Sequence, residues 1–150
     1  MSKLNLILWI VLCMLAGIIG SLFGPGEWYI SLQKSSLTPP NIVFPIVWNI
    51  LFVLMGIAAW RVSQKQQKVT SLPIALFLIQ LGFNILWSYL FFGVQRPDLA
   101  LIDIIILWSL ILFTTFLFYR IDKVAGALMI PYLGWVGFAI FLNYSIYNLN

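Results

Sequence analysis

Residues 4–24 read LNLILWIVLCMLAGIIGSLFG, an apolar run without a single charged side chain. A helix needs about 20 apolar residues to cross a bilayer, because each residue adds about 1.5 Å of rise. Four further stretches of the 150-residue chain are nearly as apolar. The sequence therefore predicts an all-α membrane protein, a five-transmembrane-helix bundle that forms a single domain over residues 1–150. The predicted spans are Leu4–Gly24, Asn41–Val62, Leu72–Gly93, Asp98–Tyr119 and Val124–Asn148.

The composition agrees with burial in lipid. The chain is 63% hydrophobic and 8% charged, which is too apolar for a water-soluble domain of this size. The apolar run after Lys3 continues to Gly24 without a small-residue cleavage site before a polar region, so we interpret it as a retained helix and not as a secretory signal.

The charged residues indicate topology. The net charge of +4 comes from only eight basic residues, which does not favour nucleic-acid binding. Six of them lie on one side of the predicted membrane and two on the other, so the positive-inside rule predicts a cytoplasmic amino terminus and a carboxyl terminus outside. The six are Lys3, Arg61, Lys65, Lys68, Arg120 and Lys123, and the two are Lys34 and Arg96.

The residues that usually carry metal or hydrolytic chemistry are missing from the sequence. Cys13 is the only cysteine and there is no histidine, so a disulfide, a thiolate cluster, the commonest haem ligand and the commonest general base are all excluded. Gly-rich phosphate loops and paired carboxylates do not occur either. We therefore expect no metal, no cofactor, and no hydrolytic or phosphoryl-transfer site.

The depth of the tryptophans is unusual. Most membrane tryptophans lie at the interfaces, but four of the seven here lie well inside the predicted spans. Trp48 and Trp87 are about 10 Å and about 9 Å below the same outer edge at the helical rise, and Trp108 and Trp135 lie near mid-span. An indole at this depth packs between helices or lines a cavity, and its N–H needs an acceptor in either case.

Polar residues share helix faces with these indoles. Gln80, Asn84 and Trp87 are spaced by four and then three residues, and an unpaired amide at the depth of Asn84 costs several kcal/mol. Two interpretations remain open: hydrogen bonds that join helices, and an aromatic pocket with a few polar groups that suits a flat apolar ligand. The other faces carry Trp48 with Phe52, and Trp135 with Ala139, Leu142 and Asn143.

Several features bear on the packing of the bundle. The ridge of Ala16, Gly20 and Gly24 lets another helix approach closely, and packing within the bundle is favoured over a dimer interface. Pro131 interrupts the hydrogen bonds of the fifth span and favours a kink. Asp103 lies about 7 Å into the fourth span at the helical rise, and we expect it to snorkel outward or to pair across helices.

Residues 25–40 form a long outer loop, which is predicted to cap the outer end of the bundle. A loop of this length between close neighbours is more often a lid or a binding element than a plain connector. Residues 27–33 are predicted to form a short interfacial helix, with Trp28 and Tyr29 at headgroup depth.

Motifs along nearly the whole chain match one known family in order and spacing. The chain resembles the TspO/MBR family, which comprises the tryptophan-rich sensory proteins of bacteria and the mitochondrial translocator protein, or peripheral benzodiazepine receptor. The matching segments are Glu27-Trp28-Tyr29 with Leu32 and Lys34; Pro39-Pro40 with Val43-Phe44-Pro45 and Val47-Trp48; Gln80-Leu81 with Asn84, Trp87-Ser88 and Phe91-Phe92-Gly93; and Pro131-Tyr132-Leu133 with Trp135, Asn143 and Asn148-Leu149-Asn150.

The resemblance implies a five-helix bundle, often a homodimer, with a ligand pocket below the first loop. It implies binding of porphyrins such as protoporphyrin IX, and of sterol-like or benzodiazepine-like compounds. Some bacterial relatives look able to degrade protoporphyrin in light, which would make Trp48 and Trp135 catalytic here. The ligand-binding residues that the resemblance implies are Tyr29, Trp48, Phe52, Asn84, Trp87, Trp135, Ala139 and Leu142.

The loop departs from the family pattern after Lys34. Ser35-Ser36-Leu37-Thr38 stands where the family usually has proline and, two residues later, an aromatic residue. Three functions stay open from the sequence. They are a membrane receptor or carrier for tetrapyrroles, a light-dependent porphyrin-degrading enzyme, and a regulatory membrane protein that acts through partners.

Overall fold

The computed structural model of the protein describes residues 3–65 and 71–150. Within these ranges, five long helices are each long and apolar enough to cross a membrane, as predicted. A short helix and one π-helical turn, named here the π segment, complete the architecture. In chain order the elements are α1 (Lys3–Ser21), α2 (Glu27–Ser31), α3 (Val43–Lys65), α4 (Leu72–Ser88), the π segment (Tyr89–Gly93), α5 (Pro97–Ile121) and α6 (Lys123–Leu149). Lys68, predicted to lie on the inner side, falls outside the described residues.

The ends of several helices differ from the predicted spans. α1 ends at Ser21 and not at Gly24, because Pro25 restricts the residue before it and disfavours a helical continuation. α3 begins at Val43 and not at Asn41, since Pro39 and Pro40 hold the preceding chain extended. At the other end, α3 continues past Val62 to Lys65, which pairs with Asp122, the N-cap residue of α6.

The five long helices form a closed ring. α1 packs against α3 and α4, α3 packs against α6, α6 packs against α5, and α5 packs against α4. Each long helix therefore has at least two helical neighbours, with α3 also touching α4 and α5, and one face toward the surroundings. The ring places the side chains of all five helices around a common interior, which holds the site described below.

Small residues on α1, and Gly24 just after its end, allow the close approach of neighbouring elements. A Cβ added at Gly20 would lie 3.0 Å from the Ser88 hydroxyl oxygen on α4, and one added at Gly24 would lie 2.8 Å from the Phe92 Cβ. Ala16 on the same ridge is buried. The predicted packing of this ridge within the bundle is confirmed.

The outward faces of the helices remain apolar. In each span, between 17% and 39% of the most apolar stretch is buried inside the protein, while large side chains such as Leu4, Ile102 and Phe113 are more than half exposed. Exposure on this scale is stable only where hydrocarbon replaces water as the solvent. The outer surface of the bundle is therefore the surface that contacts lipid.

Candidate ligand-binding site

A cavity of about 450 Å³ lies inside the ring, at the end of the bundle that carries α2. Every long helix, α2 and the π segment contribute side chains to its wall. All eight residues that the resemblance implied for ligand binding line this cavity; their role in binding stays a prediction. They are Tyr29, Trp48, Phe52, Asn84, Trp87, Trp135, Ala139 and Leu142.

Two stacked aromatic pairs contribute to the wall. On α3, the Trp48 ring stacks on Phe52 with centroids 5.5 Å apart and an interplanar angle of 30°. On α4 and the π segment, Trp87 stacks on Phe91 at 4.9 Å and 20°. The i, i+4 spacing of each pair places both rings on one helix face. The cavity is thus bounded by flat apolar surfaces.

A chain of hydrogen bonds lies behind the cavity wall. The Asn84 side-chain amide donates to the Tyr132 hydroxyl at 2.8 Å, and that hydroxyl donates to the Gln80 side-chain oxygen at 2.6 Å. Tyr132 and Gln80 are fully buried, whereas Asn84 also lines the cavity. Asn84 therefore takes part in both arrangements that the sequence left open, an interhelical hydrogen bond and a polar group in an aromatic cavity.

The Trp87 indole is held in place by a neighbouring helix. Its N–H donates to the Asn143 side-chain oxygen at 2.9 Å, and the Asn143 amide donates in turn to the Pro97 carbonyl at 3.0 Å. Asn143 lies where α4, α5 and α6 meet and is 1% exposed, so these hydrogen bonds fix its position. The Trp87 ring consequently presents a defined face to the cavity.

The Trp135 indole lies in a different environment from that of Trp87. Its indole nitrogen is buried and has no hydrogen-bond partner within residues 3–65 and 71–150, although the side chain as a whole is half-buried. Its ring makes an edge contact with Phe44, with centroids 5.8 Å apart. A buried N–H without an acceptor costs free energy, and a ligand oxygen or nitrogen in the cavity would remove that cost.

The loop between α1 and α3 contributes Pro25 and Tyr29 to the wall of the cavity, in agreement with the predicted position of a cap. The Tyr29 ring on α2 makes edge contacts with Phe91 and Phe92, and the Lys34 ammonium lies 4.5 Å from the Tyr29 centroid. Burial raises the pKa of Tyr29, so its hydroxyl is protonated at neutral pH. The loop is also tied to the carboxyl end of the chain, because Asn150 exchanges two hydrogen bonds with the Gln33 backbone.

Two polar or amphipathic residues of α5 lie outside the cavity. Of the two positions that the sequence left open for a deep indole, Trp108 takes the one between helices: it does not line the cavity, and its N–H donates to the Leu133 carbonyl at 3.1 Å, between α5 and α6. Asp103 neither snorkels nor pairs: it is 4% exposed, and neither carboxyl oxygen has a hydrogen-bond partner in the described part of the chain. Both residues lie on faces of α5 that are covered by neighbouring helices.

The structure adds lining residues that the sequence analysis did not single out for the site. Phe44 lies four residues before Trp48 on the same face of α3, a spacing that was available in the sequence. The α1 residues of the wall could not be predicted from spacing in the sequence, because their position depends on how α1 packs against α3 and α4. The added lining residues include Met14, Gly17, Gly20, Phe44, Ser88, Phe91, Phe92 and Val136.

Comparison with known proteins agrees with this architecture. A sequence model of the TspO/MBR family matches residues 9–149. The tryptophan-rich protein TspO of Chlorobaculum tepidum is 44% identical, over 98% of this chain and 96% of that protein. Protein CrtK of Rhodobacter capsulatus is 38% identical over 100% and 95%, and the human translocator protein is 34% identical over 88% and 82%. The chain therefore belongs to the TspO/MBR family and is an integral, multi-pass membrane protein.

Proposed function

We propose that this protein is a membrane receptor or carrier that binds porphyrins of the protoporphyrin IX type in the cavity below the α1–α3 loop, with a sensory or tetrapyrrole-homeostasis role. The observation that supports this proposal most is the set of eight implied ligand residues around one cavity. The cavity volume of about 450 Å³ lies within the usual range of small-molecule sites, roughly 300–1,000 Å³.

The chemistry of the wall suits a planar, largely apolar ring. The stacked pairs Trp48–Phe52 and Trp87–Phe91 offer flat faces, and offset stacking on such faces contributes about 0.5–1.5 kcal/mol beyond the burial of area. No charged side chain occurs among the described residues that line the cavity. The carboxylates of a porphyrin would therefore point toward the loop, where the Lys34 ammonium lies beside Tyr29.

The names of the relatives support a sensory or transport role. A relative from Cereibacter sphaeroides is named a tryptophan-rich sensory protein, and mammalian relatives are named translocator proteins. We extend the proposal to a homodimer, and to sterol-like or benzodiazepine-like compounds as further ligands of the same cavity. We also infer that the amino terminus is cytoplasmic, since Lys3, Lys65 and Lys123 mark one end of the bundle and Lys34 and Arg96 the other.

A titration in lipid nanodiscs tests the proposal. Protoporphyrin IX should quench the tryptophan fluorescence of the wild-type protein in a saturable manner. Trp48→Ala should raise the Kd about tenfold, since 1.4 kcal/mol corresponds to a factor of ten and the variant removes one stacking face. Asn84→Ala should weaken binding as well. Trp9→Phe is the matched control, because Trp9 does not line the cavity. If Trp48→Ala and Asn84→Ala both titrate like the control, the pocket assignment is wrong.

A second candidate function is light-dependent porphyrin degradation. It is favoured by the position of Trp48 and Trp135, whose indoles line the same cavity and would both lie close to an excited ring. Illumination of the complex should then bleach the porphyrin absorption band faster than in the dark, and Trp135→Phe should abolish the difference. Trp87→Phe serves as the control with an equally conservative change. Equal bleaching in wild type and Trp135→Phe would exclude this function.

A further inference from the structure

A second depression lies between α3 and α6, on the outside of the ring. Its volume is about 400 Å³. We name it the α3–α6 groove. Gly134 adds no bulk to it, and a Cβ added there would meet no atom within 4 Å. The residues that line the groove are all apolar: Val47, Ile50, Leu51, Leu54, Pro131, Gly134, Trp135 and Phe138.

The groove lies at the depth of the hydrocarbon. Leu54 is eleven residues from the start of α3 and Pro131 is eight residues from the start of α6, which places them about 16 Å and about 12 Å from those helix ends at the helical rise. Ile50 at its rim is 55% exposed. What covers the groove in a membrane is therefore hydrocarbon, which is the phase where an uncharged apolar ligand concentrates.

Trp135 belongs to both spaces. It lines the cavity and the groove, and its ring contacts an aromatic residue on each side. The Phe44 ring, on the cavity side, lies 5.8 Å away, and the Phe138 ring, on the groove side, lies 5.7 Å away. The Trp135 indole is thus the partition between the cavity and the groove.

The Trp135 indole is held more weakly than two of the other deep indoles, those of Trp87 and Trp108. The Trp87 and Trp108 N–H groups donate to Asn143 and to the Leu133 carbonyl, so rotation of either ring breaks a hydrogen bond. Rotation of Trp135 breaks none, because its nitrogen has no partner in the described residues. The open space beside Gly134 also leaves room on the groove side.

The other side of the cavity is more polar. The part of its wall that is exposed includes Asn41 and Asn49, and an apolar ligand that passes these amides displaces their solvent without replacing its hydrogen bonds. Passage through the groove costs no hydrogen bonds of this kind, because the residues that line the groove are apolar.

We propose that the α3–α6 groove is a lipid-side site that takes up an uncharged, apolar ring compound dissolved in the bilayer and passes it to the cavity when the Trp135 indole rotates. The proposal rests on the proposed function in that the cavity is the destination. It adds the route, the residue that separates the two sites, and the phase from which the ligand comes.

The test uses a variant that fills the groove and leaves the cavity unchanged. Gly134→Leu places a side chain in the groove where no atom opposes it, and Gly134 does not line the cavity. Gly82→Leu is the matched control, because Gly82 on α4 is also unopposed and lines neither space. Protoporphyrin IX dimethyl ester, loaded into donor vesicles, is mixed with the reconstituted full-length protein, and tryptophan quenching is followed in time.

We expect Gly134→Leu to slow association and dissociation by the same factor, about tenfold, with an unchanged Kd, and Gly82→Leu to leave both rates as in wild type. Equal rates in all three proteins, with binding intact, would overturn the route while the proposed function stands. A wild-type protein that binds protoporphyrin IX but not the ester overturns the route alone, whereas one that binds neither overturns the proposed function and the route together.

Brominated lipids provide a readout that does not depend on the porphyrin. In bilayers of phosphatidylcholine with bromine at mid-chain, Trp135 should be quenched through the groove, and Gly134→Leu should remove the same part of the quenching as Trp135→Phe removes. A lack of any such effect would show that hydrocarbon does not occupy the groove. A shift from dimer to monomer in Gly134→Leu would show that a second copy of the chain covers it, which also overturns the proposal.

Discussion

The Tyr132 hydroxyl links α6 to α4 beside the cavity through two hydrogen bonds. It accepts a hydrogen bond from Asn84 and donates one to Gln80, and the ring also makes an edge contact with Trp48 at 6.1 Å. All atoms of Tyr132 are shielded from the surroundings. Because Gln80 is fully buried and Asn84 is 8% exposed, the hydroxyl is the main partner that fixes the orientation of Asn84 at the cavity wall.

Tyr132→Phe should destabilise the protein by more than one hydrogen bond implies. The change leaves the amides of Asn84 and Gln80 without this partner, and each buried polar group left unpaired costs about 1–3 kcal/mol. Thermal unfolding in detergent should show a clear fall in Tm. Tyr144→Phe, which removes an exposed hydroxyl from the same helix, is the control. If the two variants unfold at the same temperature, the hydrogen-bond chain contributes nothing to stability.

At the scale of the element, the corner between α5 and α6 is set by Asp122. Its carboxylate accepts from the Ala125 backbone N–H at 3.0 Å as the N-cap of α6, and pairs with Arg61 at 3.1 Å and Lys65 at 3.0 Å on α3. Burial alone raises the pKa of Asp122, but the Ala125 hydrogen bond and the two cations outweigh burial, so the pKa lies well below its ordinary value. The corner thus joins three helices through one charge.

The pH dependence of stability at this corner follows from the lowered pKa. A carboxylate whose pKa is lower in the folded than in the unfolded state stabilises the fold above its unfolded pKa, which is about 3.9, and this contribution is lost as the pH falls toward the folded pKa. The Tm of wild type minus that of Asp122→Asn should therefore be positive at pH 7 and shrink below about pH 4. An equal difference at pH 7 and pH 3 would contradict the assignment.

Comparison of two substitutions separates the cap from the charges. Asn keeps an acceptor for the Ala125 N–H and Ala does not, so Asp122→Ala should cost about 0.5–2 kcal/mol more than Asp122→Asn. The two ion pairs contribute less to stability than the cap does, because the Arg61 and Lys65 side chains are 36% and 55% exposed and solvent screens such pairs. Thermal unfolding of both variants in the same detergent checks the order.

At the scale of the whole molecule, the closed ring depends on close helix contacts. A Cβ added at Gly56 on α3 would lie 2.7 Å from the Ile10 Cα on α1, so Gly56→Ala should push α1 and α3 apart and cost about 1–3 kcal/mol as an overpacked contact. Gly82→Ala adds a methyl group where nothing lies within 4 Å, and should be neutral or slightly stabilising because alanine favours a helix. Thermal unfolding of the pair checks this; a neutral Gly56→Ala would contradict the close contact.

The orientation of the whole molecule is testable by cysteine labelling. Ser36→Cys introduces a thiol in the exposed loop at one end of the bundle, and Lys123→Cys introduces one at the other end. The native Cys13 is fully buried and provides an unlabelled background. In intact cells an impermeant maleimide should label the Ser36→Cys protein, and should label Lys123→Cys only after permeabilisation. The reverse pattern would contradict a cytoplasmic amino terminus.

Much of the fold was predictable because each span is determined by the local sequence. The length and apolarity of each run determine whether it spans a bilayer, and all five spans were predicted to within three residues at both ends. The exact bounds depend on prolines and charged caps. The shared face of Trp48 and Phe52, and that of Trp135 and Ala139, follow from the helical period. The eight ligand residues, by contrast, were implied by the family resemblance and not by the helical period, and all eight line one cavity.

The amino-acid sequence by itself determined the five spans, the lipid-facing character of their surface and the aromatic positions of the site. Only the tertiary structure decided which indoles face the cavity, because that depends on the rotation and register of each helix against its neighbours. Trp108 turns to a carbonyl on α6, Tyr132 joins two amides that lie 52 and 48 residues away, and Trp135 is left between two spaces without a partner. Periodicity along one helix carries no information about such contacts between helices.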